Sequence, residues 1–180
     1  MKLGILREEK IPVDKRTPFS PSQCKKIITD FPNIEIYVQS SKFRCYSDKE
    51  YISSNITVLE DISFCDILFG IKEVPIESLI SNKTYFFFSH TIKKQVYNRK
   101  LLKKMISLNI KMIDYEVLKF DNGKRILGFG RYAGVIGAYN GLLTYGLKTN
   151  LFNIKPAYLC FDRKEMDHQL KKVILKNEKL

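Results

Sequence analysis

DILFGIKEVPIESLISNKTYFFFSH, residues 66–90, contains two short apolar runs, each followed at once by polar or charged residues. Apolar runs without alternation are typical of strands that are covered on both faces, as in a parallel sheet. Helical patterns separate such runs along the chain, and this alternation indicates βαβ units. The sequence therefore predicts an α/β fold with a mostly parallel, twisted sheet flanked by helices. The candidate strands are 3–6, 34–38, 66–71, 84–88, 110–113 and 125–129.

Helix signals fill the intervals between these runs. Ser20 is a good N-cap, and Pro21 suits the first position of a helix. Apolar residues recur on one side of the stretch that follows Ser-His-Thr at 89–91, as they do in an amphipathic helix. The predicted helices are 20–31, 92–106, 131–147 and 161–176.

A hairpin is predicted near Asn122-Gly123. This dipeptide favours a type I′ turn, which joins two antiparallel strands with the correct twist. We therefore expect a strand at 110–117 to pair antiparallel with 125–129.

Composition limits the class of protein. The 180 residues fit one domain with or without an extension, and 44% of them are apolar, so a folded core is expected. The net charge of +12 would suit a nucleic-acid partner, but the basic residues are spread along the chain and favour solvated helix faces instead. The four cysteines and two histidines show no metal-ligand spacing. No apolar stretch is long enough for a signal peptide or a membrane span, so we expect a soluble, cytoplasmic protein without a metal site.

GFGRYAGVIGAYNG, residues 128–141, looks at first like a phosphate-binding glycine loop. A dinucleotide fingerprint also needs a second strand and an acidic residue about twenty positions further on, and neither is predicted here. Glycine inside a helix costs about 1 kcal/mol relative to alanine, so the presence of Gly137 and Gly141 in the predicted helix needs an explanation other than helix propensity. The sequence favours close helix packing, or a hinge beside a second domain, over a dinucleotide site.

Three segments place polar groups at the ends of apolar strands, where open α/β sheets keep their ligand crevices. Arginine suits a carboxylate, lysine suits a carbonyl or carboxylate, and histidine moves protons near neutral pH. Taken singly, each residue also fits a structural role on the surface or at a helix start. The candidates in these three segments are Arg16 in 7–21, Lys72 and Glu73 in 70–75 and His90 in 86–95, and Glu116 in DYEVL follows another apolar strand.

Five segments together resemble the N-terminal domain shared by alanine dehydrogenases, saccharopine dehydrogenases, lysine-ketoglutarate reductases and the proton-translocating transhydrogenase. They are LGILREEKIPVDKRTPFSPSQCKKI, DILFGIKEVP, YFFFSHTIKKQ, IDYEVL and GFGRYAGVIGAYNGL. The saccharopine branch is the most similar, because S-H-T-I-K, I-D-Y-E and the glycine run follow in that order. The resemblance covers residues 2–149 and implies a Rossmann-like or flavodoxin-like substrate domain at 1–149 that ends in a long interdomain helix.

The resemblance also implies roles for these residues. Arg16 matches an arginine that holds a substrate carboxylate, and Lys72 matches a lysine that lies against the substrate carbonyl or imine. Lys72 and His90 match the two proton-transfer groups. Glu73 and Glu116 match acidic residues that tune the protonation of that lysine and histidine.

The cofactor implied by the resemblance is NAD or NADP, which passes a hydride to the imine formed from a 2-oxo acid and an amine. In the family a separate Rossmann domain holds most of this cofactor, and residues 150–180 are expected to lead towards such a domain. Gly130 and Arg131 are candidates for minor cofactor contacts. The expected partners are an amino or 2-oxo acid, a Rossmann domain in cis or in trans, and further copies of the chain in a homo-oligomer. We expect neither nucleic acid nor a membrane among the partners.

Two hypotheses about activity follow. In the first, the chain is the substrate-binding and acid-base half of an amino-acid dehydrogenase and is inactive without its Rossmann domain. In the second, it is a non-catalytic relic or split-enzyme subunit that binds amino or oxo acids, or a Rossmann partner, without turnover.

Overall fold

The computed structural model describes residues 1–177. They form two compact units, the sheet unit at Met1–Leu127 and the helical unit at Gly128–Leu180.

The sheet unit is built on six parallel strands, which confirms the predicted α/β fold. The strands are β1 (Lys2–Ile5), β2 (Glu35–Gln39), β3 (Thr57–Leu59), β4 (Ile67–Phe69), β5 (Thr84–Phe87) and β6 (Lys111–Asp114). Their order across the sheet is β3-β2-β1-β4-β5-β6. Chain order therefore reverses between β1 and β4, at the centre of the sheet.

Three helices accompany these strands in the sheet unit. They are α1 (Pro21–Asp30), α2 (Asp48–Ser53) and α3 (Arg99–Ser107). Ser20 caps α1 as predicted, because its side chain accepts the Gln23 N–H while the Gln23 side chain bonds back to the Ser20 N–H.

Both faces of the sheet are covered, as the unbroken apolar runs predict. On β4, Leu68 is buried in one core cluster, while its neighbours Ile67 and Phe69 pack against the other. Because successive side chains of a strand point to opposite faces, the two clusters lie on opposite sides of the sheet. Tyr85 and Phe87 are fully buried in the same cluster as Leu68.

Three details differ from the sequence prediction. The prediction missed β3 and α2, whose segments are short. The proposed strand at 125–129 is wrong: the turn at Gly123 forms with a φ of 78°, but only one antiparallel bridge, between Lys119 and Arg125, follows it. The helix predicted from 92 begins only at Arg99, because Lys94 adopts a left-handed conformation and interrupts it between two 3₁₀ turns.

The helical unit contains α4 (Gly130–Thr149) and α5 (Arg163–Asn177), close to the two helices predicted for this region. Its small core consists of Tyr139, Ile154, Ala157 and Met166. The Tyr139 hydroxyl donates to the Lys155 carbonyl at 2.7 Å and ties α4 to the segment before α5. No helix within residues 1–177 is long and apolar enough to cross a bilayer.

The glycines of α4 divide into two kinds. A Cβ at Gly146 would lie 2.5 Å from the backbone oxygen of Phe152, so this glycine allows a close approach. At Gly137 and Gly141 nothing in the helical unit lies within 4 Å of such an atom. The close packing predicted for Gly137 and Gly141 is therefore not found within this unit.

We expect Gly146→Ala to destabilise the helical unit by about 1–3 kcal/mol, because the added methyl overlaps a backbone oxygen. The matched control Gly141→Ala, in the same helix, should stabilise it by up to about 1 kcal/mol, since alanine is the better helix former. Urea unfolding followed by the amide resonances of α4 measures both changes. Equal effects of the two substitutions would contradict the close contact at Gly146.

Candidate functional site

The carboxyl ends of the parallel strands meet at one edge of the sheet unit. Backbone hydrogen bonds continue past the strands: the Phe88 N–H donates to the Ile71 carbonyl at 3.0 Å, and the Tyr115 N–H donates to the Phe87 carbonyl at 3.3 Å. The residues that follow β4, β5 and β6 are therefore held side by side. Open α/β sheets bind ligands at this edge, near the point where strand order reverses.

His90 and Glu116 form a direct contact at this edge. The Nδ1 atom of His90 lies 3.0 Å from the Glu116 Oε2 atom, and the Glu116 side chain is only 7% exposed. Lys93 and Arg125 also approach the Glu116 carboxylate, at 3.4 and 3.3 Å. The hydrogen bond with His90 lowers the pKa of Glu116 and, helped by Lys93, outweighs the opposite effect of burial.

Asp114, at the end of β6, supports the contact between His90 and Glu116 through hydrogen bonds to neighbouring groups. Its carboxylate accepts the Ser89 hydroxyl and the Glu116 backbone N–H, the latter at 2.8 Å. His90 adopts a left-handed backbone conformation with φ of 55°, which is unusual for a residue with a side chain. Its ring stacks on Phe88, with 6.3 Å between centroids. The orientation of the imidazole is thus fixed by the left-handed backbone, by the stacking on Phe88 and by the contact of Nδ1 with Glu116.

The lowered pKa of Glu116 makes a prediction about stability. A carboxyl group with a depressed pKa stabilises the fold above its ordinary pKa, and this contribution disappears as pH falls through the depressed value. We expect Glu116→Gln to lower the free energy of unfolding by about 1 kcal/mol at neutral pH, with the difference from wild type shrinking below about pH 4.5. The exposed Glu77→Gln is the control. Urea titrations followed by the β5 and β6 amide resonances test this, and a difference that does not change with pH would contradict it.

Lys72 follows β4 and lies beside a cleft of about 200 Å³ at the point where strand order reverses. Within residues 1–177, its ammonium has neither a hydrogen bond nor an ion pair, although the residue is half-buried. Glu8 and Glu73 also line the cleft, whereas His90 and Arg16 are not among its lining residues.

Arg16 is held by Asp14. Its Nε atom donates to the Asp14 Oδ1 atom at 2.8 Å, and a second nitrogen contacts Oδ2. This hydrogen bonding lowers the pKa of Asp14 against the effect of burial, and the positive charge of Lys72 lowers it further. Arg16 therefore lies within electrostatic reach of the Lys72 region, although it lines a separate depression near Tyr46.

Glu73 has Lys10 as its direct partner. Its Oε2 atom pairs with the Lys10 ammonium at 2.6 Å, and its buried Oε1 atom has no hydrogen-bond partner among residues 1–177. Burial raises the pKa of Glu73, but the Lys10 hydrogen bond and charge, together with His90, shift it below the ordinary value. Glu73 thus contacts Lys10 directly and interacts electrostatically with His90 at longer range.

Several residues of this edge were missed by the sequence analysis. Glu8, Lys10 and Asp14 lie in the charged loop 7–21, where the rule of polar groups after a strand would have found Glu8. The same rule would have included Lys93, which lies in the segment 86–95, whereas Arg125 carried no such signal because it does not follow a strand of the sheet.

The glycine segment before and within α4 does not fit a dinucleotide cradle. Such a cradle needs a strand that leads through the glycine turn into the helix, but the described residues 115–129 contain no strand of the sheet. Phe129 provides no side-chain cap for α4, and a Cβ at Gly130 would meet nothing within the helical unit. Gly130 and Arg131 lie in the first turn of α4.

The fold and site define a Rossmann-like α/β domain with a polar crevice at the reversal of strand order. The chain belongs to the family "Alanine dehydrogenase/PNT, N-terminal domain", whose model matches residues 4–136. This confirms the resemblance found in the sequence.

Known relatives agree with this family. The chain is 38% identical over 146 residues to the mitochondrial alpha-aminoadipic semialdehyde synthase of Mus musculus, covering 81% of this chain and 16% of that protein. It is 29% identical to the NAD(+)-dependent, L-lysine-forming saccharopine dehydrogenase of Yarrowia lipolytica, covering 79% and 40%. The chain thus spans only 16% to 40% of the length of these two relatives. The named dehydrogenases of the family are oxidoreductases.

Two solved structures share the fold. A transhydrogenase from Sinorhizobium meliloti superposes with a TM-score of 0.64 at 13% identity, covering 82% of this chain and 44% of that one. An L-alanine dehydrogenase gives a TM-score of 0.55 at 15% identity, covering 69% and 35%.

Proposed function

We propose that this chain is the substrate-binding and acid-base half of an NAD(P)-dependent amino-acid dehydrogenase of the saccharopine or alanine dehydrogenase type. The observation that carries the proposal is that His90 pairs with Glu116 and that the Lys72 ammonium has no partner among residues 1–177, with the three residues following the neighbouring strands β5, β6 and β4 at one sheet edge. The family membership and the names of the relatives support the same class of reaction.

The proposed roles follow from which atoms are engaged. The Nδ1 atom of His90 is occupied by Glu116, so its Nε2 atom is the nitrogen that exchanges a proton with the substrate. Lys72 donates a hydrogen bond or proton to the substrate carbonyl oxygen. Arg16, oriented by Asp14, binds a substrate carboxylate.

These groups serve the steps that join a 2-oxo acid to an amine. Addition of the amine nitrogen to the carbonyl carbon needs a proton on the oxygen and the loss of one from the nitrogen. Expulsion of water needs a second proton on the same oxygen and leaves the protonated imine. Lys72 and His90 supply and accept these protons, and positioning lowers the entropic part of the barrier.

We assign the nicotinamide cofactor to a Rossmann domain, in the same polypeptide or in a partner, because the described glycine segment lacks the cradle geometry. All four cysteines are free thiols, which supports a cytoplasmic enzyme. We expect it to act as a homo-oligomer.

Ligand titration of the chain by NMR tests the proposal. We expect 2-oxoglutarate or pyruvate to shift the amide resonances at Arg16, Lys72 and His90, with a weaker response in Arg16→Gln. Glutarate, which lacks the oxo group, is the matched control for 2-oxoglutarate and should shift Arg16 but not Lys72. If no 2-oxo acid shifts these resonances, the site assignment is wrong.

A second candidate function is binding without turnover, in a relic or a split subunit. It is favoured by the lack of a dinucleotide cradle in residues 1–177. It predicts that amino or oxo acids raise the thermal stability of the chain, while no assembly with a Rossmann partner oxidises or reduces a nicotinamide cofactor. Turnover in such an assembly would rule it out.

A further inference from the structure

Glu8 connects the end of β1 to the turn that carries Lys72. Its two carboxylate oxygens accept two consecutive backbone N–H groups, that of Ile71 at 2.6 Å and that of Lys72 at 2.9 Å. These strands are neighbours at the point where strand order reverses. The contact therefore spans 63 or 64 residues of chain and fixes the backbone from which the Lys72 side chain extends.

An ionised Glu8 in this buried position costs the native state free energy. Burial raises the pKa of Glu8, and the two backbone hydrogen bonds only partly offset this effect. The charged groups that face it are Asp14, which raises its pKa further, and Arg16, which lowers it. A buried carboxylate with a raised pKa loses stability for the native state as pH rises through that pKa.

Two adjacent N–H groups explain why a carboxylate stands here. Each buried N–H needs an acceptor, and a carboxylate offers two acceptor oxygens with no donor. A glutamine of the same size offers one acceptor and an NH₂ group, which faces the second N–H with donor against donor. Only the carboxylate holds Ile71 and Lys72 at the same time.

We propose that Glu8 is a positioning residue, which fixes the turn after β4 so that the Lys72 ammonium is held at the crevice edge. The proposal rests on the proposed function of Lys72, but its geometry can be tested without turnover. Glu8 acts through the backbone of Lys72 and has no substrate contact in this scheme.

The test compares Glu8→Gln with the neighbouring control Glu9→Gln in the full chain. Glu9 lies next in sequence and contacts Arg7 and Ser78 rather than the Lys72 turn. We expect Glu8→Gln to accelerate amide hydrogen exchange at Ile71 or Lys72 at least tenfold, with exchange at Leu68 within β4 unchanged. Glu8→Asp, which keeps the carboxylate on a shorter side chain, should give an intermediate increase.

A second measurement reports on the Lys72 amine itself. Competitive acetylation read by mass spectrometry should show the labelling rate of Lys72 changed at least threefold in Glu8→Gln, while that of Lys100 on α3 stays the same. If exchange and labelling both match the Glu9→Gln control, Glu8 is not a positioning residue. If they change but Lys72→Met leaves turnover intact, the proposed function fails while the Glu8 contact stands.

Discussion

The Lys72→Met variant is expected to lose about 10²- to 10⁴-fold in kcat, measured in the enzyme that contains this chain together with its dinucleotide domain. The Lys72 ammonium has no partner among residues 1–177, so its removal should leave packing intact and take away only the proton donor. The assays are reduction with 2-oxoglutarate plus lysine and with pyruvate plus ammonia. Because the lost interaction acts on the reacting atoms, kcat should fall more than KM rises.

The His90→Gln variant should show a loss of the same order, because glutamine cannot accept and release a proton. The control is Lys100→Met on the solvent side of α3, which should keep wild-type turnover. Unchanged turnover in both Lys72→Met and His90→Gln would refute the assignment of the two proton-transfer groups.

The Phe87→Ala variant is expected to lower the free energy of unfolding of the sheet unit by about 3–5 kcal/mol. Phe87 is fully buried in the cluster that includes Leu101 and Met105, so truncation leaves a cavity. A small domain has only about 5–15 kcal/mol of stability, so this loss is a large part of the total. Urea unfolding followed by the amide resonances of β5 measures it.

The matched control for this variant is Phe43→Ala. Phe43 is 59% exposed, so its truncation removes little buried surface. A similar loss in both variants would contradict the central place of Phe87 in the core.

The sequence predicted most of the sheet because its strands are buried on both faces. Five of the six candidate runs are strands. Each contains enough apolar side chains to be recognised in the sequence although apolar and polar residues do not alternate along it. The run at 125–129 has the same composition, but no neighbouring strand pairs with it, and Ile126 is 47% exposed. Composition marks a segment as able to form a strand, whereas the pairing partner decides whether it does.

The candidate site was predicted in part. The rule that ligand residues follow parallel strands selected Lys72, Glu73, His90 and Glu116. It could not show that Glu73 pairs with Lys10 or that Lys93 and Arg125 join Glu116. Side-chain pairing depends on the paths of the loops, and no local sequence pattern predicts where a loop of a dozen residues comes back to the sheet.

The sequence by itself determined the parallel α/β fold, the family and the strand ends that carry polar residues. Each of these is written in local patterns: apolar runs, cap residues and short motifs of neighbouring residues. Only the tertiary structure decided that Glu8 holds the Lys72 turn and that Glu116 faces His90, because these contacts join residues 64 and 26 positions apart. Such contacts exist only once parallel strands have brought distant chain segments to one edge of the sheet.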